Sequence, residues 1–414
     1  MPNRLLLPLR RTLLTWAAAL AAARPGLALA QGVARPPLPR VPTPAPVAQL
    51  TPEGADSLVI ITTQGALARG PASGRWQTLA DGLDPGVAPA LGHGRIVARS
   101  ADGGLWVHEN GRGSFSPGLD LAPHAGLLVL PLAVIAVQRW RGSTHLVRLE
   151  PEASGRWSVV ARSAEPVLPD ARPLQADLDG RADGGHLVVL AGPDGQRYAH
   201  GVLGDAIEAT QVLWLERHSL QPLRSLVLPA PWVLEDIAPR LLTLPGGGQA
   251  LVSVRAGPEG GQLVLLAADP RQPGALVLQA LGDTVGGRHR WLSPSTDGRQ
   301  LMAVHTPHIG GVLHRYGVQG PQLQRERLAG GVSTHAIGSR ELDLALWQRG
   351  TLLLPAQDRR TLLQLGGADG QTVLARWPLP APLAASRAAP GGATGWLVLE
   401  DGQLVQAPRV EARQ

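Results

Sequence analysis

Residues 95–108 have the sequence RIVARSADGGLWVH, in which an Asp-Gly pair separates two apolar segments. This arrangement is a strong signal for a β-hairpin, because the turn needs a positive φ angle that glycine adopts without strain. The same pair stands at Asp194-Gly195, Asp297-Gly298, Asp369-Gly370 and Asp401-Gly402. Recurrent hairpins in units of roughly 35 to 65 residues predict an all-β protein, namely a β-propeller in which each unit is one small twisted sheet.

The apolar pattern predicts one central strand in each of eight units. These strands are predicted at residues 58–62, 95–100, 132–138, 186–191, 249–254, 300–305, 341–347 and 395–400. Eight strands favour eight blades, whereas a single blade made from the two terminal units would give seven, so the sequence predicts seven or eight. Residues 383–410 hold about three strands, and pairing of the two chain ends in one blade would remove exposed edges. Residues 202–215 are predicted to be an insertion with one helical turn around 205–209.

The first thirty residues resemble a cleavable export signal. Arg4, Arg10 and Arg11 precede an apolar stretch, and small residues lead to a cleavage site between Ala30 and Gln31. The apolar stretch has about a dozen residues and is too short to span a bilayer. Periplasmic localisation is therefore expected, by general secretion or by the twin-arginine route. Residues 31–46 contain six prolines and are predicted to be an extended linker before a single propeller domain at 47–410.

The composition excludes several classes of chemistry. All basic residues counted are arginines, so the chain has no lysine for a Schiff base or a P-loop, and it has no cysteine for a disulfide or thiol catalysis. The formal charge is +6, but four arginines lie in residues 1–30, which contain no acidic residue, so the remaining chain carries +2. No basic run stands out. Nucleic acid is therefore not an expected partner, and no membrane-spanning segment is expected after residue 30.

An acidic loop precedes the fourth central strand. Asp177, Asp179 and Asp183 surround Gly180 in the sequence QADLDGRADGGH. Carboxylates at alternate positions of a tight loop suit a hard cation that needs six or more oxygen ligands. The loop resembles the calcium-binding loop of the FG-GAP/VCBS repeat, a blade type of integrin-α-like propellers, although Arg181 stands where that family has a third acidic ligand. The resemblance implies a calcium site; a turn in which the aspartates bond their own backbone is the alternative.

Two other segments carry candidate ligand-binding side chains. His305, His308 and His314 lie within ten residues of sequence and could converge on zinc or copper, or could instead be neutral histidines that hydrogen-bond a loop. The long insertion of the fourth unit places Tyr198, His200 and Asp205 in a loop long enough to cross one face of the disc. Charged residues near other strand starts, at 235–236, 338–343 and 358–360, are expected to form surface ion pairs.

These observations predict an exported, periplasmic propeller that acts as a binding or scaffolding module for a protein or a small ligand. The alternative is a propeller enzyme, either a quinoprotein-type dehydrogenase or a metal-dependent lactonase or hydrolase. Trp76, Trp157 and Trp377 are expected to lie on outer strands and pack between blades, whereas a quinoprotein would use tryptophan to stack its cofactor. No Gly-Xaa-Ser-Xaa-Gly nucleophile motif is present. Calcium is the one cofactor that a motif suggests.

Overall fold

The computed structural model describes residues 32–180, 185–269, 271–272, 275–366 and 370–410. These residues form an all-β structure, in which the only helical turns are two 3₁₀ turns at Gly201–Leu203 and Pro390–Gly392. Across the same residues, no helix has the length and apolar character needed to cross a membrane. The helical turn expected around 205–209 is thus displaced, because strand pairing has already begun at Glu208.

The strands form successive units of four, preceded by two short N-terminal strands, β1 (Val33–Ala34) and β2 (Arg40–Val41). Unit 1 contains β3 (Val47–Pro52), β4 (Ser57–Thr62), β5 (Leu67–Pro71) and β6 (Gln77–Ala80). Unit 2 contains β7 (Ala90–Gly92), β8 (Arg95–Arg99), β9 (Leu105–Glu109) and β10 (Arg112–Ser116). Unit 3 contains β11 (Leu128–Leu130), β12 (Ala133–Trp140), β13 (Ser143–Pro151) and β14 (Trp157–Arg162). Unit 4 contains β15 (Leu174–Ala176), β16 (His186–Asp194), β17 (Glu208–Leu215) and β18 (Pro222–Val227).

The second half of the chain repeats this arrangement after a short bridging strand, β19 (Val233–Leu234). Unit 5 contains β20 (Arg240–Thr243), β21 (Gln249–Gly257), β22 (Gly260–Ala268) and β23 (Leu276–Leu281), and β24 (Val285–Gly286) follows it. Unit 6 contains β25 (Leu292–Thr296), β26 (Leu301–His305), β27 (Val312–Gln319) and β28 (Gln322–Gly330). Unit 7 contains β29 (Leu346–Gln348), β30 (Thr351–Pro355), β31 (Thr361–Gly366) and β32 (Thr372–Pro378). Unit 8 contains β33 (Leu383–Ala388), β34 (Gly395–Leu399) and β35 (Leu404–Gln406).

Antiparallel pairing of consecutive strands makes each unit a meander, and the N-terminal segment adds one strand to each of the last two. Strand β2 pairs antiparallel with β35 and supplies the fourth strand of unit 8, and β1 pairs parallel with the outer strand β32 of unit 7. Part of the segment predicted as a linker therefore belongs to the sheets. The described residues contain eight units of four strands when β2 is counted with unit 8, and β1 adds a fifth strand to unit 7.

Hydrophobic clusters join each unit to the next and close the ring. Leu58 and Ile60 of unit 1 pack in one cluster with Trp396 and Val398 of unit 8. Corresponding clusters join units 1 and 2, 2 and 3, 3 to 6, 6 and 7, and 7 and 8. A closed ring of small twisted sheets is a β-propeller, which confirms the predicted fold.

The second strand of a unit is the predicted central strand in seven of the eight units, and unit 7 is the exception. The prediction at 341–347 is wrong for this strand: residues 341–345 form a connection, and the second strand is β30. Apolar Leu342 and Leu344 alternate with polar residues as in a strand. Their backbones, however, bond other groups: Leu344 N–H donates to the Thr334 carbonyl at 2.8 Å, and the Leu342 carbonyl accepts from Ser293.

The Asp-Gly pairs do not mark one repeated position. The pairs at 102–103, 194–195 and 401–402 lie between the second and third strands of their units, and the pair at 297–298 lies between the first and second. Gly103 and Gly402 have φ angles of +87° and +78°, as the hairpin interpretation requires, whereas the turn at Asp194 uses its carboxylate to accept two backbone N–H groups. Asp369 lies outside the described residues. The pair is therefore a hairpin signal rather than a repeat signature.

Tryptophans at the outer strands fill spaces between units, as predicted. Trp157 is buried at the start of β14 and packs in the cluster shared by units 2 and 3. Trp377, on β32, packs in the cluster shared by units 7 and 8, and Trp76 lies directly before β6. Each of these rings is accounted for by packing between sheets.

Successive strands alternate in direction, which assigns every loop to one of two faces. We use the term upper face for the face that is formed by the loops between second and third strands and by the connections from one unit to the next. The lower face carries the loops between first and second and between third and fourth strands. Tyr198, His200, Asp205 and His308 are on upper-face loops, whereas the loop that holds Asp177 and Asp179 is on the lower face.

Candidate functional site on the upper face

A cavity of about 480 Å³ occupies the middle of the ring at its upper end. We call it the central cavity. Its wall is formed by inner strands and by unit-to-unit connections, and its charged side chains are those of Arg172, Arg340, Glu341 and Arg387. Arg340 and Glu341 belong to the stretch that was expected to form only surface pairs. The His305–His314 segment does not line this cavity.

The charged side chains of the central cavity form a connected network. Arg387 Nη2 bonds Glu341 Oε2, and Arg172 Nη1 lies 3.6 Å from Glu341 Oε1. Arg340 bonds two other carboxylates, Asp170 and Asp205, each at 2.8 Å. Burial opposes ionisation of Glu341, but the guanidinium groups of Arg387 and Arg172 outweigh it, so the pKa of Glu341 is below its ordinary value. Asp205, predicted as a ligand-face residue, thus acts as a partner of Arg340.

A second cavity, of about 160 Å³, lies nearby on the same face. We call it the histidine pocket. His200, His289 and His308 line it together with Trp291, and the apolar side chains at its rim include Ile309 and Ile337. The loop at 195–207 separates the two cavities: Asp205 contacts the central network, and the Val202 carbonyl accepts a hydrogen bond from Gly338 N–H at 2.9 Å.

Buried carboxylates support the floor of the histidine pocket. Glu235 has no solvent exposure, and its Oε1 bonds Nδ1 of His200. Burial raises the pKa of Glu208 well above its ordinary value, and the nearby charge of Glu235 raises it further. Tyr198 is also buried; burial and Glu235 raise its pKa to about 12, and its hydroxyl accepts the backbone N–H of His289 at 2.7 Å. Tyr198 therefore supports the pocket and does not line it.

His308 lines the pocket and is paired with His335, which is buried behind it. His308 Nε2 and His335 Nδ1 are 2.8 Å apart, and both rings pack against Trp291. Burial lowers the pKa of each histidine to about 4, and the same burial leaves both rings neutral near pH 7. Two neutral imidazoles can share one hydrogen bond, because one nitrogen donates and the other accepts.

The three histidines predicted to converge do not do so. His305 and His314 stack with ring centroids 3.9 Å apart inside unit 6, and His305 Nε2 bonds the Tyr316 hydroxyl. Burial, with a smaller effect from His314, lowers the pKa of His305 to about 3. His308 turns away towards His335. Adjacent strands thus hold two of these histidines in a packed stack, and the described residues contain no group of three or more histidine, aspartate or glutamate side chains placed to hold a metal ion.

The acidic loop lies apart from these cavities, on the lower face. Asp177 N–H donates to Gln249 Oε1 at 2.9 Å, and Asp179 Oδ2 is 3.9 Å from His186 Nε2. Asp183, the third predicted calcium ligand, lies outside the described residues. Calcium binding by Asp177, Asp179 and Asp183 therefore stays a prediction.

The pH dependence of stability offers a test at Asp343, next to the central network. Burial raises the pKa of Asp343 from 3.8 to about 6, against weaker opposite effects of hydrogen bonds from Ser295 and the Ala345 backbone. A raised carboxyl pKa adds stability below about pH 4, and that stability is lost as the pH rises through 6. Asp343→Asn should therefore raise the free energy of unfolding at pH 7 by up to about 3 kcal/mol, with no gain below pH 4.

Urea unfolding of both proteins between pH 4 and 7.5 checks this prediction. An identical pH profile for Asp343→Asn and the unaltered protein would show that Asp343 is ionised at no cost.

Solved structures resemble this chain in fold. BamB from Moraxella catarrhalis matches with a TM-score of 0.56 and 11% identity, over 88% of this chain and 95% of that chain. Hydrazine synthase from Kuenenia stuttgartiensis matches with a TM-score of 0.49 and 11% identity, over 90% and 98% of the two chains. YCF48 from Cyanidioschyzon merolae matches with a TM-score of 0.44 and 12% identity, over 89% and 98%.

Sequence comparison adds no closer relation: no family model and no curated protein matches the chain. At 11% identity, the likeness to BamB shows the fold alone. The FG-GAP/VCBS repeat type consequently stays a prediction. The chain is a β-propeller whose upper face holds two adjoining cavities.

Proposed function

We propose that this propeller is a protein-binding scaffold whose partner docks on the upper face, over the histidine pocket. The observation that carries the proposal is the exposed apolar rim of that pocket. Ile309 is 58% exposed and Ile337 is 74% exposed, and both line the histidine pocket beside its histidine and tryptophan rings. Binding energy at protein interfaces concentrates where an apolar side chain of one partner enters a pocket of the other and the surrounding contacts exclude water.

Preorganisation of the rim supports this proposal. The connection that carries Ile337 is fixed by the bond between Gly338 and Val202 and by the contacts of Arg340 with Asp170 and Asp205. A fixed rim loses little conformational entropy when a partner binds. His308, which lines the pocket, is neutral near pH 7, so an apolar side chain can pack against its ring without burying a charge at that contact.

Ile337→Asp tests the proposal against a matched control. Leu132 is 72% exposed, nearly as much as Ile337, but it lies on a lower-face loop. Ile337→Asp should reduce the amount of co-purified partner at least tenfold, because an aspartate at an apolar contact must lose its hydration, while Leu132→Asp should leave it unchanged. Quantitative mass spectrometry of material isolated from the native cell measures both. Equal capture by both variants would refute docking on this face.

We also propose that the chain works in the periplasm after removal of residues 1–30. The basic start, the short apolar stretch and the small residues before Gln31 support export. N-terminal sequencing of the protein isolated from its native cell tests this: a chain that begins near Gln31 agrees with export, and a chain that retains Met1 contradicts it.

A further inference from the structure

The central cavity contains one carboxylate that two arginines share. Arg387 makes a direct hydrogen bond to Glu341, whereas Arg172 Nη1 stays 3.6 Å from it. That distance is well beyond the roughly 2.7–2.9 Å of a strong guanidinium–carboxylate bond. The Arg172 side chain is 34% exposed and lines the cavity, so its exposed part faces the cavity. Its Nη2 donates to the Arg340 carbonyl at 2.6 Å, and the remaining N–H groups of the guanidinium can reach a second acceptor.

One carboxylate of the network lines the cavity, and the other two lie behind its wall. Arg340 has two carboxylate partners, Asp170 and Asp205, which contact it without lining the cavity. Among the described residues, Arg172 and Arg387 share one carboxylate partner, Glu341. The network as a whole is balanced, but the side chains that line the cavity, three arginines and one glutamate, carry two positive charges in excess.

We propose that the central cavity binds a carboxylate-bearing ligand between Arg172 and Arg387. A guanidinium presents a planar fork of N–H donors that matches the two oxygens of a carboxylate. A volume of about 480 Å³ accommodates a small polycarboxylate or a few residues of chain. Glu341 occupies the same donors from inside and competes with the incoming group. The carboxylate belongs either to a free polycarboxylate or to the acidic side chains of a docked protein.

Isothermal titration of the full chain at low salt tests this binding with two probes, citrate and a capped tetraglutamate peptide. Arg387→Gln removes a charged donor and should weaken binding at least tenfold, because hydrogen bonds to charged groups are stronger than those between neutral groups. Glu341→Gln removes the internal competitor and should strengthen binding at least threefold. Arg69→Gln is the control, because Arg69 pairs with Glu53 on another part of the ring and is 44% exposed.

Each outcome decides between the alternatives. Citrate binding with these opposite changes supports a free polycarboxylate, and binding of the peptide alone supports an acidic segment of a partner. Binding by neither probe overturns the proposal, as does a loss in Arg69→Gln equal to that in Arg387→Gln. Should Arg387→Gln fail to fold, unchanged or weaker affinity in Glu341→Gln overturns it. These titrations contain no partner protein, so their failure leaves docking at Ile337 as a separate question.

Discussion

Replacement of Trp396 by alanine is expected to lower the free energy of unfolding by about 3–5 kcal/mol, as for other large-to-alanine changes in cores. Trp396 has no solvent exposure and packs in the cluster that joins units 8 and 1, where the ring closes. Loss of the indole leaves a cavity between two sheets that hydrogen bonds within each sheet keep from collapsing. Urea unfolding followed by circular dichroism measures the change.

Two other substitutions make the result specific. The buried Nε1 of Trp396 has no hydrogen-bond partner among the residues that the structure describes, so Trp396→Phe keeps most of the packing and removes an unsatisfied donor. We expect it to cost less than about 1.5 kcal/mol. Trp140 is 37% exposed, and Trp140→Ala should cost less than about 1 kcal/mol. Similar losses of unfolding free energy in all three variants would contradict the interpretation that Trp396 stabilises the junction between units 8 and 1.

A chain that begins at residue 47 is expected to lose about 3–6 kcal/mol of stability, because it lacks the outer strand of unit 8. The truncation removes the β2–β35 pairing, buried Val41, and the hydrogen bond from Trp76 Nε1 to the Pro42 carbonyl at 2.6 Å. The uncovered edge of β35 should also promote association between chains.

A chain that begins at residue 38 is the matched control. It loses the two-residue β1 but keeps β2. Its free energy of unfolding should therefore stay within about 1 kcal/mol of that of the chain that begins at Gln31. Urea unfolding compares the stability of the chains that begin at residues 31, 38 and 47, and light scattering compares their association. Equal stability of the chains that begin at 38 and at 47 would show that unit 8 does not need β2.

The strands were predictable because a side-chain period of two reports burial on a sheet. Val59 and Ile61, for example, belong to one cluster of unit 1, and Ile60 faces the other. The same period misled at Leu342 and Leu344, where an extended connection packs apolar residues without sheet pairing. The proline-rich segment misled in the opposite way, since Arg40 and Val41 pair although their neighbours suit a linker. The local pattern of apolar residues does not distinguish an extended connection from a strand that is paired in a sheet.

The candidate site was only partly predictable, because it is assembled from connections distant in sequence. His200 and His308 were recognised from polar loops, but Arg172, Trp291 and His335 carry no local motif. The cluster of basic residues at 288–290 just before β25 was the one signal near His289. The mutual approach of these loops depends on the order of sheets around the ring, and spacing within one loop contains no information about it.

Photo-cross-linking in the native cell tests whether a partner docks on the upper face. It suits a chain without lysine, in which amine-reactive reagents have few targets. A photoreactive phenylalanine analogue is placed at position 337 in one variant and at position 132 in another, and each is irradiated in the native cell. We expect one protein adduct at position 337 and none at position 132. An adduct at position 132 alone, or none at either position, would contradict it.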